Sequence, residues 1–209
     1  MPSTEFYFNA IDGARIARAR ELSSLRIGPL GPSENDPFSI HAKATILLCY
    51  ANWEGFYNDA VELYLDFLKE RSLLVKDVGW LLLTGALNAD FESLRARNHS
   101  LESKRDFVLK LRERLECDFS GFDRTIVLSR SNLNFQRISD NFRILNLDAS
   151  RLQQSRIRLD KELVGWRHAI AHGTPPDLSS MNIDNHLNFT TTLMLQLSDV
   201  IQEAIARHE

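Results

Sequence analysis

The chain is poor in cysteine, proline and glycine: its 209 residues include two cysteines, six prolines and nine glycines, and its formal charge is only −3. Cys49 and Cys117 are too few for a disulfide framework or a four-cysteine zinc site within one chain, and Cys49, between Leu48 and Tyr50, is expected in the core. No stretch approaches the roughly 18 consecutive apolar residues that a membrane span requires. Residues 1–10 place Glu5 and Asn9 in a short aromatic run, without the basic start and apolar core of a secretion signal. These absences predict a cytoplasmic protein with no membrane association. The near-neutral charge lacks the basic excess of a general nucleic-acid binder. With no Gly-rich phosphate loop, G-x-S-x-G elbow or dinucleotide fingerprint, a small-molecule enzyme is poorly supported and no cofactor is implied.

Charge is present, but unevenly. Residues 1–123 carry 15 basic and 19 acidic side chains, residues 124–172 carry 9 and 4, and residues 173–209 carry 1 and 5. The middle segment is a basic island, which is either a solvated arginine-rich helix face or a nucleic-acid contact.

The breakers gather at Gly28–Pro32, at Gly121 and at residues 173–176. Between them apolar residues recur at intervals of three and four and strand-like alternation is nearly absent, so the chain is expected to be all-α. Helices are predicted near 10–26, 38–71, 76–96, 100–116, 131–146, 154–172 and 182–207, with Thr125–Leu128 as the single extended candidate. Residues 1–35 read as an N-terminal helical extension joined in one compact unit to a helical domain over 36–209.

Two helices concentrate the chemistry. On a wheel of about 100° per residue, Leu159, Leu163, Trp166 and Ile170 form a core stripe, with Arg167 at its edge and His168 and His172 on the opposite side. Gly173 is the expected cap, and the prolines that follow prevent the helix from resuming. In 38–71, Ile40, Leu47, Ala51, Val61 and Leu65 share one face, with Glu54 and Asn58 in its middle. A carboxylate there needs a partner, either an ion pair with Lys43 or a neighbouring arginine, or a polar cleft that Glu54 lines. Trp53, Trp80 and Trp166 read as core or interface anchors, and Trp53 could instead stack on a base.

The string Arg167-His168-Ala169-Ile170-Ala171-His172-Gly173, closing a helix in an all-α domain of this size, resembles the R-x4-H signature of the HEPN superfamily. The earlier helix around Leu47–Phe56 is similar to the one that supplies a polar side chain, here Glu54, beside that motif. Ser131-Asn132-Leu133 leading into a helix is similar to nuclease-like prokaryotic HEPN groups found near restriction and toxin–antitoxin loci. The resemblance implies an up-and-down helical bundle with peripheral helices and a homodimer that pairs two motif helices. In active members it implies metal-independent cleavage of RNA, as a toxin or defence effector with an antitoxin or neighbouring defence protein as partner.

The residue chemistry is compatible with that. Cleaving RNA without a metal needs a base for the 2′-hydroxyl, an acid for the leaving 5′-oxygen and a cation for the charge developing on the phosphate. Histidine titrates near neutrality, so His172 suits the proton transfers, while the Arg167 fork matches phosphate oxygens at two points. Arg167 and His172 lie about 140° apart around the helix and roughly 7.5 Å apart along it, which gives a two-fold pairing of helices a chemical reason. His168 is a candidate second proton carrier or phosphate ligand. Arg130, Arg137, Arg156 and Arg158 are the candidate guides for the RNA backbone. His168 and His172 also have the i, i+4 spacing of a helical zinc site, but Ala-Ile-Ala between them lacks the glutamate of H-E-x-x-H, and no metal is assigned. The other histidines, His41, His99, His186 and His208, read as bystanders. The main rival is a non-catalytic HEPN module for dimerisation or RNA binding that acts with a partner protein.

Overall fold

The computed structural model describes residues 2–26, 38–174 and 176–208. The Gly28–Pro32 breaker and Pro175 lie outside the described residues. Among them no strand occurs, and the architecture is the all-α bundle that the helical period predicts.

Four long elements form the bundle: α1 (Thr4–Ser24), α2 (Ile40–Glu70), the motif helix over residues 156–171, and the last helix, Ile183–Ala206. Ser3, Ser39 and Asn182 start α1, α2 and the last helix by accepting from the backbone N–H three residues on, so polar side chains satisfy otherwise orphaned donors. Arg71 at the end of α2 reaches Thr4 at the start of α1, and Arg18 pairs with Asp59; these two helices are antiparallel. Trp166 packs on His186, and Arg158 covers the Phe189 ring, so the motif helix runs antiparallel to the last one. Arg167 lies on Tyr50, while Ile170 and Gly173 line one cleft with Lys43, which sets the motif helix antiparallel to α2. The bundle is therefore up-and-down, with α2 at its centre.

The smaller elements surround it. Residues 76–96 do not form the single predicted helix. They divide into α3 (Val75–Val78), a 3-10 turn (Trp80–Leu82), α4 (Leu83–Ala86) and α5 (Asn88–Ala96). Gly79 turns to extended backbone, and a Cβ there would lie 3.0 Å from that of Asn146, whose amide donates to the Val78 carbonyl. Helix α6 (Leu101–Arg114) pairs with α5, where Asp90 accepts from Lys110 at 2.9 Å. Helix α7 (Phe135–Leu145) and the short α8 (Ser150–Gln153) precede the motif helix. Thr125–Leu128 is not extended: residues 124–126 make a 3-10 turn. Residues 131–134 are irregular, and α7 begins only at Phe135, with Asn134 as its cap. The first helix spans Thr4–Ser24 in place of 10–26, and its Tyr7, Ile11 and Leu22 are buried in the common core.

The inner face of α2 also differs from its expected one. Ile40 is 87% exposed and Leu47 and Ala51 are exposed too, whereas Ala42, Ile46, Cys49, Trp53, Phe56, Tyr57, Ala60 and Tyr64 are buried. The aliphatic stripe is thus turned largely outward in its first half, because the aromatic side carries more apolar area to bury. Tyr57 can join the core since its hydroxyl donates to the Val127 carbonyl and accepts from the Asn141 amide. Trp53 is fully buried, which removes it as a base-stacking surface, and Trp166 is in the core as expected. Trp80, 67% exposed, is no part of the core.

Candidate active site

The motif helix is not a plain α-helix. After Arg156–Arg158, designated α9, residues Leu159–Gly165 are π-helical, and α10 (Trp166–Ala171) resumes the α form. The Trp166 N–H bonds back five residues to the Lys161 carbonyl. Leu159, Leu163 and Trp166 remain buried, as the stripe predicts. Each π turn holds more residues than an α turn, so the aim of every side chain from Trp166 onward is set by this segment, a feature frequent at functional sites. An ideal Cβ on Gly165 would stand 3.2 Å from the Asp160 carbonyl oxygen, and the Asp160 carboxylate accepts from the Phe135 N–H at 2.7 Å. The wide turn is thereby tied to the start of α7.

The helix ends as the sequence predicts. Gly173 has φ +71, its N–H bonds the Ile170 carbonyl at 3.2 Å, and the Thr174 N–H bonds Ala169 at 2.9 Å, the paired closure that favours glycine. Just before this cap, His168 and His172 are exposed with ring centroids 4.3 Å apart. Among the described residues no three His, Cys, Asp or Glu side chains form a metal-binding set.

Arg167 is half-buried and points toward α2. Its guanidinium lies over the Tyr50 ring, 3.8 Å from the centroid, and donates to the Ser131 carbonyl; its Nε is buried without a hydrogen-bond partner. Tyr50 is held at three points. Its hydroxyl donates to Glu54 Oε1 at 2.9 Å and accepts from the Leu133 N–H at 2.9 Å, and its ring carries Arg167. Burial pushes the phenol above its ordinary range; the Leu133 N–H draws it back and the Glu54 carboxylate raises it further.

Glu54 sits at the flank of α2, half-buried, and not in the middle of a core stripe. Its partners are neither Lys43 nor an arginine: Oε1 accepts from the Tyr50 and Ser129 hydroxyls. Asn58, beside it, exchanges two hydrogen bonds with the Ser129 backbone, at 2.8 and 3.0 Å. These contacts pin the segment 127–133 to α2. Tyr50, the hub of the arrangement, was missed by sequence reasoning; its i, i+4 spacing to Glu54 is the one local signal that could have marked it.

The candidate RNA guides separate into two groups. Arg130 and Arg137 line a cleft of about 400 Å³ together with Ile126, Leu128, Ser131 and Asn132. Glu54 stands behind Ser129 and is not part of that lining. Arg156 lies 5.7 Å from the centroid of the Phe135 ring. Arg158 is bound to Glu162 at 2.7 Å and to the Asn185 carbonyl at 3.1 Å, and it covers Phe189. The structure thus brings Arg130 and Arg137 together next to Ser131, the residue that Arg167 holds, and engages Arg158 within the bundle.

No helix among the described residues is long and apolar enough to cross a membrane. No curated protein and no solved structure matches the sequence. The profile of one family, described as RiboL-PSP-HEPN, matches residues 14–203. With the all-α bundle and the Arg167–His172 motif, this makes the chain a member of the RiboL-PSP-HEPN family, whose HEPN domain is a nuclease-like or RNA-related module.

Proposed function

We propose that the protein is a metal-independent endoribonuclease of toxin or defence type that works as a homodimer in the cytoplasm. In this reading His172 transfers protons during attack by the 2′-hydroxyl, His168 is a second proton carrier, and Arg167 stabilises the charge on the phosphate. Tyr50 and Glu54 position Arg167 and do not touch the substrate. The observation that carries the reading is that Arg167, on the same helix as two exposed and adjacent histidines, binds the carbonyl of Ser131 in the lining of a cleft that holds two further arginines. Exposed Ile40, Leu47 and Leu48 on α2 offer apolar area for a second copy.

One observation favours the rival, a non-catalytic module for dimerisation or RNA binding with a partner protein: the Arg167 fork already serves Ser131 and Tyr50. Incubation of the purified protein with RNA in EDTA separates the two. Products with 2′,3′-cyclic phosphate ends that vanish in His172→Ala and Arg167→Ala support the enzyme. Tight binding without cleavage by the parent supports the module, and equal cleavage by both variants refutes the catalytic assignment.

A further inference from the structure

The cleft beside Ser131 differs in charge from the clefts along the last helix and between α5 and α6. Along the last helix, Arg151 is paired with Asp199 and Glu203. Between α5 and α6, Asp90 holds Lys110 and Arg114, and Arg97 faces Asp106. The cleft formed by residues 125, 126, 128–132 and 137 has two arginines and no acidic side chain in its lining. The Arg137 guanidinium makes one bond, at 3.3 Å, to the Ile126 carbonyl. Arg130 is exposed and forms no ion pair among the described residues. The acidic side chain whose field it feels is that of Asp123, which is already engaged. Asp123 is held below the usual carboxylate range first by the Thr125 hydroxyl and N–H, then by Asn88, with Arg130 contributing least. Its Oδ1 accepts both Thr125 bonds and its Oδ2 the Asn88 amide.

The remaining lining supplies the other needs of a nucleotide. Asn132 is exposed, with an amide that can both donate and accept. Ile126 and Leu128 offer apolar surface for a ribose or base. The volume, about 400 Å³, lies within the roughly 300–1,000 Å³ of small-ligand sites. Arg130 and Asn132 are the chain neighbours of Ser131, so their Cα atoms lie about 3.8 Å from that of the residue whose carbonyl holds Arg167.

We propose that this cleft binds the nucleotide adjoining the reacting phosphate of a single-stranded RNA. Arg130 and Arg137 take its phosphate, Ile126 and Leu128 underlie its sugar and base, and the Asn132 amide reads the edge of the base. The cleft is then a determinant of sequence preference. The proposal takes its substrate from the ribonuclease reading, but the binding it asserts is measurable without cleavage.

The experiment uses the full chain and a short single-stranded RNA carrying 2′-O-methyl at every position, which cannot attack its own phosphate. Binding is followed by fluorescence anisotropy across a salt series, with the four nucleoside monophosphates and inorganic phosphate as competitors. Arg130→Ala and Arg137→Ala are each expected to weaken RNA binding about tenfold and to reduce the salt slope by about one. Asn132→Ala is expected to keep the slope and to level the affinities of the four nucleotides. Arg151→Ala, in the ion-paired cleft, is the control and leaves binding unchanged. Unaltered affinity and slope in the Arg130→Ala/Arg137→Ala double variant overturn the proposal, and inorganic phosphate competing as well as every nucleotide overturns its nucleotide part. Cleft-dependent binding by a parent that never cuts unmodified RNA supports the subsite while refuting the ribonuclease.

Discussion

The guanidinium of Arg167 rests 3.8 Å from the centre of the Tyr50 ring, so the orientation of the motif arginine is decided on a different helix from the motif. Tyr50 in turn is fixed by Glu54 one turn further along α2 and by the Leu133 N–H. A cation on a partly desolvated aromatic face is stabilised by about 0.5–2 kcal/mol, enough to decide among the rotamers of a half-buried arginine.

Substitutions at Tyr50 should therefore separate ring from hydroxyl. Tyr50→Phe keeps the face and leaves the Leu133 N–H unpaired, costing about 1–3 kcal/mol of stability with kcat on RNA little altered. Tyr50→Leu removes the face as well, and kcat should fall about tenfold with a smaller change in KM. Equal kcat for the Phe and Leu variants in steady-state cleavage would show that the ring does not aim Arg167.

Glu54→Gln keeps an acceptor for one hydroxyl but loses the charge that strengthens both bonds. A stability loss of about 1–2 kcal/mol is expected in urea titrations, together with little change in kcat and an unchanged pH–rate profile. If the acidic limb of that profile moved, Glu54 would be a proton carrier and not a support for Tyr50.

His186 gives the fold an acid sensitivity. It is buried against Trp166, neither ring nitrogen has a partner, and burial, helped by Arg158, lowers its pKa to about 4. The folded value lies below the ordinary one of about 6.5, so the unfolded chain takes up the proton first as pH falls. Stability from the neutral ring is complete above the unfolded value and is lost as pH drops toward the folded one, by about 2 kcal/mol between pH 7 and 5. His186→Leu should be neutral or stabilising at pH 7 and should flatten this dependence in urea midpoints taken at the two pH values. A parent midpoint that does not change between them would contradict the assignment.

Gly165→Ala tests the π segment. In an ordinary exposed helix this change stabilises by about 1 kcal/mol. Here the new methyl would lie 3.2 Å from the Asp160 carbonyl, so the gain should vanish or become a loss of up to about 1 kcal/mol. Thermal unfolding of the variant decides this, and a full 1 kcal/mol gain would show that the wide turn imposes no such constraint.

The helical class, the long helices, the Gly173 closure and the Arg167–His172 string all rest on local patterns, and local patterns can be read from one chain. What escaped depends on partners distant in sequence. Tyr57 is buried because Val127 and Asn141 meet its hydroxyl, and Glu54 is satisfied by Ser129, 75 residues away. An aliphatic count along α2 therefore chose the wrong inner face in the first half of the helix, while Val61 and Leu65 in the second half are buried. The 76–96 helix failed for a related reason, since it is the approach of Asn146 that Gly79 accommodates. The π turns lack a distinctive residue pattern beyond Gly165, because an α and a π segment bury nearly the same apolar positions over seven residues.

Those seven residues give the active face a phase offset that a helix of uniform pitch would not have. A π turn closes around one residue more than an α turn, so removing one of the seven would let the helix close on its ordinary ladder with everything downstream keeping its aim. Keeping all seven at the α pitch would instead rotate everything downstream by about 100°: Trp166 would leave His186, Arg167 would leave Tyr50, and the two histidines would turn with them. The wide turn is thus how the buried half of the helix carries an extra residue without misdirecting the exposed half.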